Sequence, residues 1–240
     1  MRLVSLCPST TESLVAFGLH GQLAGITRFC IHPREVVSKL TKVGGTKDPK
    51  LERIAEIAPD LIFMNREENR SEDHAWLSAR FEVDVSLPRG PEDVPPLLRR
   101  WGARLSVQER ADAWADAIEA RLENPPRRSG TVPFLYVIWR RPWMVAGSET
   151  YVDRMMRWGG GINVAPSGDY PEVDLSEFAH HEGLQVLLPD EPFPFKAPHR
   201  EELKSLLPRA RVRLLGGDDC CWHGVRTLRG LDLVSSLFEP

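Results

Sequence analysis

Apolar residues in this chain fall into short runs, separated by stretches in which they recur at helical spacing. The run over 3–6 predicts a strand that closes at Cys7-Pro8. Ser9-Thr-Thr-Glu12 has the spacing of a capping box, in which hydroxyl and carboxylate satisfy each other's free backbone donors. It predicts a helix over 10–17 that stops at Gly18. A strand over 23–27 follows. Asp48 as N-cap and Pro49 in the first turn predict a helix running to Ala58, ended by Pro59. A buried strand over 61–64, a helix over 72–80 and a strand over 83–86 complete a β-α alternation. Such an alternation predicts a mostly parallel sheet covered by helices.

From Glu92 the pattern turns helical. Leu97, Leu98, Trp101 and Leu105 keep helical spacing, and Ser106-Val-Gln-Glu109 has the form of a second capping box. Ala111, Trp114, Ala115, Ile118 and Leu122 then form one stripe and predict a continuous helix over 107–123. Pro125-Pro126 and a polar turn over 127–130 end it. The alternation restarts with a strand over 134–139, helices over 149–158 and 175–182, a strand over 185–188, a helix over 200–207, a strand over 212–215 and a helix over 225–237. The expected architecture is α/β: a lobe over 1–105, a connecting helix over 106–124 and a second lobe over 125–240. Residues 52–63 and 177–188 align without gaps as helix, break and buried strand, an echo that suits two related lobes.

Composition narrows the class without naming an activity. Hydrophobic residues make up 42% and charged residues 27%, as in ordinary globular chains. Lys plus Arg is 31 against 34 for Asp plus Glu, which disfavours a nucleic-acid partner. Four Cys in 240 residues do not make a disulfide scaffold. The apolar stretch near Met1 is too short for a secretory signal, so a native start at Met1 implies a cytoplasmic protein.

Catalytic signatures are missing. The sequence has no G-x-S-x-G elbow and no phosphate-binding P-loop. Cys220-Cys221-Trp222-His223 is the richest group of metal-ligand types, but adjacent Cys side chains do not aim at one ion and no second pair exists. It reads as a turn with one buried thiol. Cys30-Ile31-His32 and His180-His181 are weaker still. Gly159-Gly-Gly161 reads as a helix stop. No metal, cofactor or enzymatic activity is expected. Aromatic and Arg residues instead recur in loops after expected strands: Arg28, Phe29, Asn65 and Arg66 in the first half, Trp139, Trp143 and Tyr170 in the second. In open α/β sheets ligands bind at that edge, and aromatic faces with a few cations suit a flat or anionic ligand.

With these residues in hand, the chain resembles the class III substrate-binding proteins of ABC importers, which bind cobalamin, ferric siderophores or haem. The resemblance rests on Arg2-Leu-Val-Ser-Leu-Cys-Pro-Ser-Thr-Thr-Glu12, the segment from Leu51 to Ile62, Gly159-Gly-Gly-Ile-Asn-Val164 and Trp222-His-Gly-Val-Arg226. It implies two Rossmann-like lobes joined by one long backbone helix. It further implies a monomer that captures a corrinoid or Fe(III) chelate in an inter-lobe cleft and delivers it, from the periplasm or cell exterior, to a permease. Glu52 and Glu177 match the carboxylates that dock on the permease dimer. Phe29 and Tyr170 match aromatic ligand contacts and Trp143 lies near a third, whereas Asn65 and Thr46 stand where cobalamin binders carry aromatics. Two alternatives are a cytosolic chelate carrier or sensor without a permease, and a metal-dependent enzyme built on Cys220, Cys221 and His223.

Overall fold

In the computed structural model, which describes residues 1–126 and 132–238, the apolar runs become the strands of two largely parallel sheets. In chain order the first elements are β1 (Leu3–Ser5), α1 (Pro8–Ala16), β2 (Leu23–Ile26), α2 (Arg34–Val37), α3 (Leu51–Ile57), β3 (Leu61–Asn65), α4 (Ser71–Ser78) and β4 (Val83–Ser86). Helices α5 (Val94–Arg104) and α6 (Gln108–Leu122) follow. Then come β5 (Val132–Trp139), β6 (Met144–Val145), α7 (Tyr151–Trp158), β7 (Gly161–Asn163), β8 (Gln185–Pro189), α8 (Ala197–Leu206), β9 (Arg211–Leu215), α9 (Gly217–Cys221) and α10 (Arg226–Leu237). The expected turn over 127–130 lies outside the described residues.

The chain divides into two compact units. The first holds Met1–Pro88, Val94–Asp116 and His223–Arg226; the second holds Arg89–Asp93, Ala117–Trp222 and Thr227–Pro240. Helix α6 therefore contributes residues to both. In the first unit the parallel order is β2-β1-β3-β4, with Leu3 opposite Leu61 and Phe63 opposite Asp84. In the second, β7 and β8 flank β5 and β9 pairs with β8, all parallel, while β6 returns antiparallel on β5. Allowing for β6, both sheets share one strand order, and the two halves of the sequence echo place β3 and β8 at the same rank.

Each sheet buries its own core. Val4, Leu6, Ile54, Ile62 and Leu77 pack in the first unit, and Leu135, Val137, Val186, Leu188 and Leu203 in the second. Burying one such side chain contributes about 1.5–3 kcal/mol, and the continuous apolar runs reflect strands covered on both faces.

Local signals gave way where tertiary partners competed. Neither capping box forms. Cys7, not Ser9, is the N-cap of α1, and Glu12 is drawn away into an ion pair with Arg226. Ser106 sits at φ 55° as the left-handed stop of α5, with Val107 N–H donating to Gly102 O at 2.9 Å. Asp48 does not cap α3, which starts after Lys50. The helix expected over 175–182 shrinks to a 3-10 turn, Leu175–Phe178. There the imidazole Nδ1 of His180 lies 2.7 Å from the carbonyl oxygen of Glu177, which a longer helix would need. Gly159-Gly-Gly161 is only partly a stop: Gly160 takes φ 99°, and Gly161 opens β7.

Candidate functional site

Parallel strands send their following loops to one edge. The loops after β1, β2, β3 and β4 therefore gather at one edge of the first sheet, and those after β5, β7, β8 and β9 at one edge of the second. This carboxyl edge is where open α/β sheets take ligands. The residues expected from the sequence stand in these loops or, like Asn65 and Trp139, at the last position of the strand before them.

In the first unit Phe29 is 47% exposed, with Arg28 Cζ 4.7 Å from its ring centroid. The Arg28 guanidinium donates to both carboxylate oxygens of Asp48 at 2.9 Å. These charge-assisted bonds hold the Asp48 carboxyl below its ordinary range and explain why it is lost as a helix cap. Arg66 is exposed at the end of β3, its backbone N–H bound to Ser86 O at 3.0 Å.

Asn65 is buried, and its amide is engaged inside the protein. Oδ1 accepts the backbone N–H of Glu67 at 2.9 Å and of Glu68 at 3.1 Å. Nδ2 faces Ser86 Oγ and His223 Nε2, each at 3.3 Å. Presenting this amide to a ligand would break the turn it holds, and the next residue, Arg66, is exposed. Thr46 is likewise buried, and its carbonyl accepts from Asn69 Nδ2 at 3.0 Å.

In the second unit an aromatic cluster stands at this edge. Trp139, 42% exposed, meets Phe193 edge-on with ring centroids 5.5 Å apart. Phe193 lies 4.6 Å from Phe195, and Trp143 stacks on Phe195 at 6.4 Å. His199 abuts both phenyl rings, at 5.3 and 5.6 Å. Arg140 Cζ lies 5.8 Å from the Trp143 centroid, and its guanidinium is bidentate on Glu202, holding that carboxyl low. Tyr170, 40% exposed, stands in the loop that follows β7. Phe193, Phe195 and His199 are absent from the sequence reading. The rule of aromatics following a strand finds the two phenylalanines once it is applied to β8.

The Cys220, Cys221 and His223 grouping does not make a metal centre. Cys220 and Cys221 lie in α9, not in a turn, with the Cys220 thiol pushed up by burial and Cys221 Sγ 3.2 Å from the Tyr136 hydroxyl. His223 belongs to the first unit, with Nε2 3.8 Å from Cys7 Sγ. Among the described residues no group of three or more His, Cys, Asp or Glu is placed to hold a metal ion, and no helix is long and apolar enough to cross a membrane. Glu52 is exposed in the first turn of α3, and Glu177 is exposed in the 3-10 turn capped by Asp174. A separate pocket, floored by Phe178, Leu184, Leu207 and Ala210, lies at the opposite, amino-terminal end of β8 and β9 and includes none of the expected ligand residues.

Comparison with known proteins agrees with the fold. A family model described as periplasmic binding protein matches residues 3–189. A vitamin B12-binding protein of Vibrio vulnificus is 24% identical over 208 residues, covering 82% of this chain and 71% of the relative. Among solved structures, a periplasmic heme binding protein from Pseudomonas aeruginosa superposes with a TM-score of 0.81 at 23% identity, covering 99% of this chain and 92% of the other. The periplasmic vitamin B12 binding protein of Vibrio cholerae superposes with a TM-score of 0.75 at 20% identity, covering 98% and 95%.

Proposed function

The chain belongs to the periplasmic binding protein family, and from that membership we propose that it captures a cobalamin-type corrinoid for import through an ABC permease. It is a binding protein and not an enzyme. The observation that carries the reading is the cluster of Trp139, Phe193, Phe195 and Trp143 at the carboxyl edge of β5 and β8. A broad apolar face of this kind suits a large, nearly flat ring whose metal is already chelated. At the corresponding edge of the first unit, Arg28 lies over the exposed Phe29 and the exposed Arg66 follows β3, cations that match the polar periphery of such a ring. The kinship with vitamin B12-binding relatives favours a corrinoid over a ferric siderophore.

Glu52 and Glu177 are, in this reading, the two carboxylates that meet basic pockets of the permease dimer. Both are exposed in a first turn, free of the sheet-edge loops, so docking and ligand capture use separate groups.

Titration with cyanocobalamin, haemin and a ferric hydroxamate siderophore, followed by Trp fluorescence and thermal melting, tests the ligand class. Saturable quenching with a raised melting temperature is expected for cyanocobalamin. A response to haemin alone would replace the corrinoid by haem, a reading that the fold likeness to a heme binding protein keeps in play.

A further inference from the structure

We propose that His223 is a positioning residue for the ligand-facing loop of the first unit: through Asn65 it sets the turn that displays Arg66. The inference rests on the reading that this edge receives the ligand, but its structural core stands on hydrogen bonds alone.

The orientation of the Asn65 amide is fixed. Two backbone N–H groups, of Glu67 and Glu68, point at one end of it, which must therefore be the carbonyl oxygen. The other end is then NH2 and donates. Ser86 Oγ accepts one hydrogen, since its own hydroxyl donates to Met64 O. The remaining hydrogen points at His223 Nε2, 3.3 Å away, so that nitrogen accepts and the ring proton sits on Nδ1. Nδ1 is buried and has no hydrogen-bond partner among the described residues. The tautomer is thus dictated by Asn65 and not by any acceptor for the ring's own N–H.

The surroundings keep the ring neutral. Cys7, at the N-cap of α1, lies 3.8 Å from Nε2, and burial, with the nearby Glu68 charge second, raises its thiol to about 12, so it carries no charge. Trp101 of α5 lies 6.3 Å away and gives its indole N–H to Asp84, a carboxylate already engaged by Arg100. Glu12 of α1 is neutralised by Arg226. Burial lowers the pKa of His223 to about 4, and no neighbouring charge offsets it. A neutral acceptor is therefore always available to Asn65 near neutral pH. The backbone brings it there through Gly224, at φ 82°, where a Cβ would lie 2.1 Å from Ser13 Oγ.

Amide hydrogen exchange on His223→Phe and His223→Gln tests the assignment. Phe removes the acceptor; Gln restores one without a titrating ring. In His223→Phe the Glu67 and Glu68 amides should exchange about 10-fold faster than in wild type, relative to amides of β8, and Gln should bring them back. Cyanocobalamin affinity should follow the same order. Acceleration spread evenly over both units, or no rescue by Gln, would overturn the proposal. Should His223→Phe fail to fold, Asn65→Asp decides: a carboxylate facing Nε2 should protonate it and raise the His223 pKa above its ordinary value, read by imidazole nitrogen NMR. An unchanged pKa there overturns the proposal as well. If wild type ignores cyanocobalamin, the ligand reading falls, while the exchange and NMR results still judge His223.

Discussion

Arg226 closes a bidentate ion pair on Glu12, with Nε to Oε2 at 2.7 Å and Nη2 to Oε1 at 2.8 Å, joining residues 214 apart in sequence. The Arg side chain is only 5% exposed and the Glu 19%. Breaking such a pair from one side leaves a charge without its partner in a poorly solvated place. Arg226→Met should therefore lower unfolding free energy by about 3 kcal/mol. Adding Glu12→Leu should recover part of that loss. Urea unfolding of the single and double variants measures both, and a double variant no better than the single would show that the pair is not the source.

The aromatic cluster and Asn65 should respond in opposite ways. Trp139→Ala removes an exposed ring, so cyanocobalamin affinity should fall about 10-fold or more, with the melting temperature nearly unchanged. Asn65→Ala strips two backbone N–H groups and one imidazole of their partner, so stability should fall by about 1–3 kcal/mol. Calorimetric binding and melting on the same samples separate the two.

Glu52→Lys and Glu177→Lys reverse charge at exposed first-turn positions. Ligand affinity in solution should remain within about twofold of wild type, because neither group stands in the strand-edge loops. Uptake of labelled cobalamin by cells relying on this protein should be lost. Undiminished uptake would favour a carrier or sensor that works without a permease.

Acid should weaken the fold through His223. Its folded-state pKa of about 4 lies below the ordinary 6.5, so the unfolded chain binds the extra proton first. The stability attached to the neutral ring is complete above pH 6.5 and is lost as pH falls toward 4. The slope reaches about 1.4 kcal/mol per pH unit within that window. His223→Gln should show a shallower decline in urea midpoints over the same range.

All four cysteines are free thiols; three are buried and only Cys221 is part-exposed. Thiol titration of the native protein should modify Cys221 first, with Cys7, Cys30 and Cys220 reacting only on unfolding. Rapid modification of Cys7 would contradict the burial that raises its thiol to about 12.

Periodicity and turn residues alone determined the α/β alternation, the long helix near 107–123 and the strands whose ends carry Phe29, Arg66 and Trp139. Those features depend on local spacing, which a chain displays before it folds. Glu52 and Glu177 were singled out by the family resemblance and not by spacing. Tertiary structure alone decided what each polar group would bind. Glu12 left its capping box for Arg226, Asp48 left its helix for Arg28, and Asn65 turned inward to His223. For Glu12 and Asp48 a distant Arg offers a charge-assisted bond in place of the local one, while Asn65 keeps its local bonds and adds a buried distant partner; sequence spacing carries no record of which distant residues the sheet order will bring together.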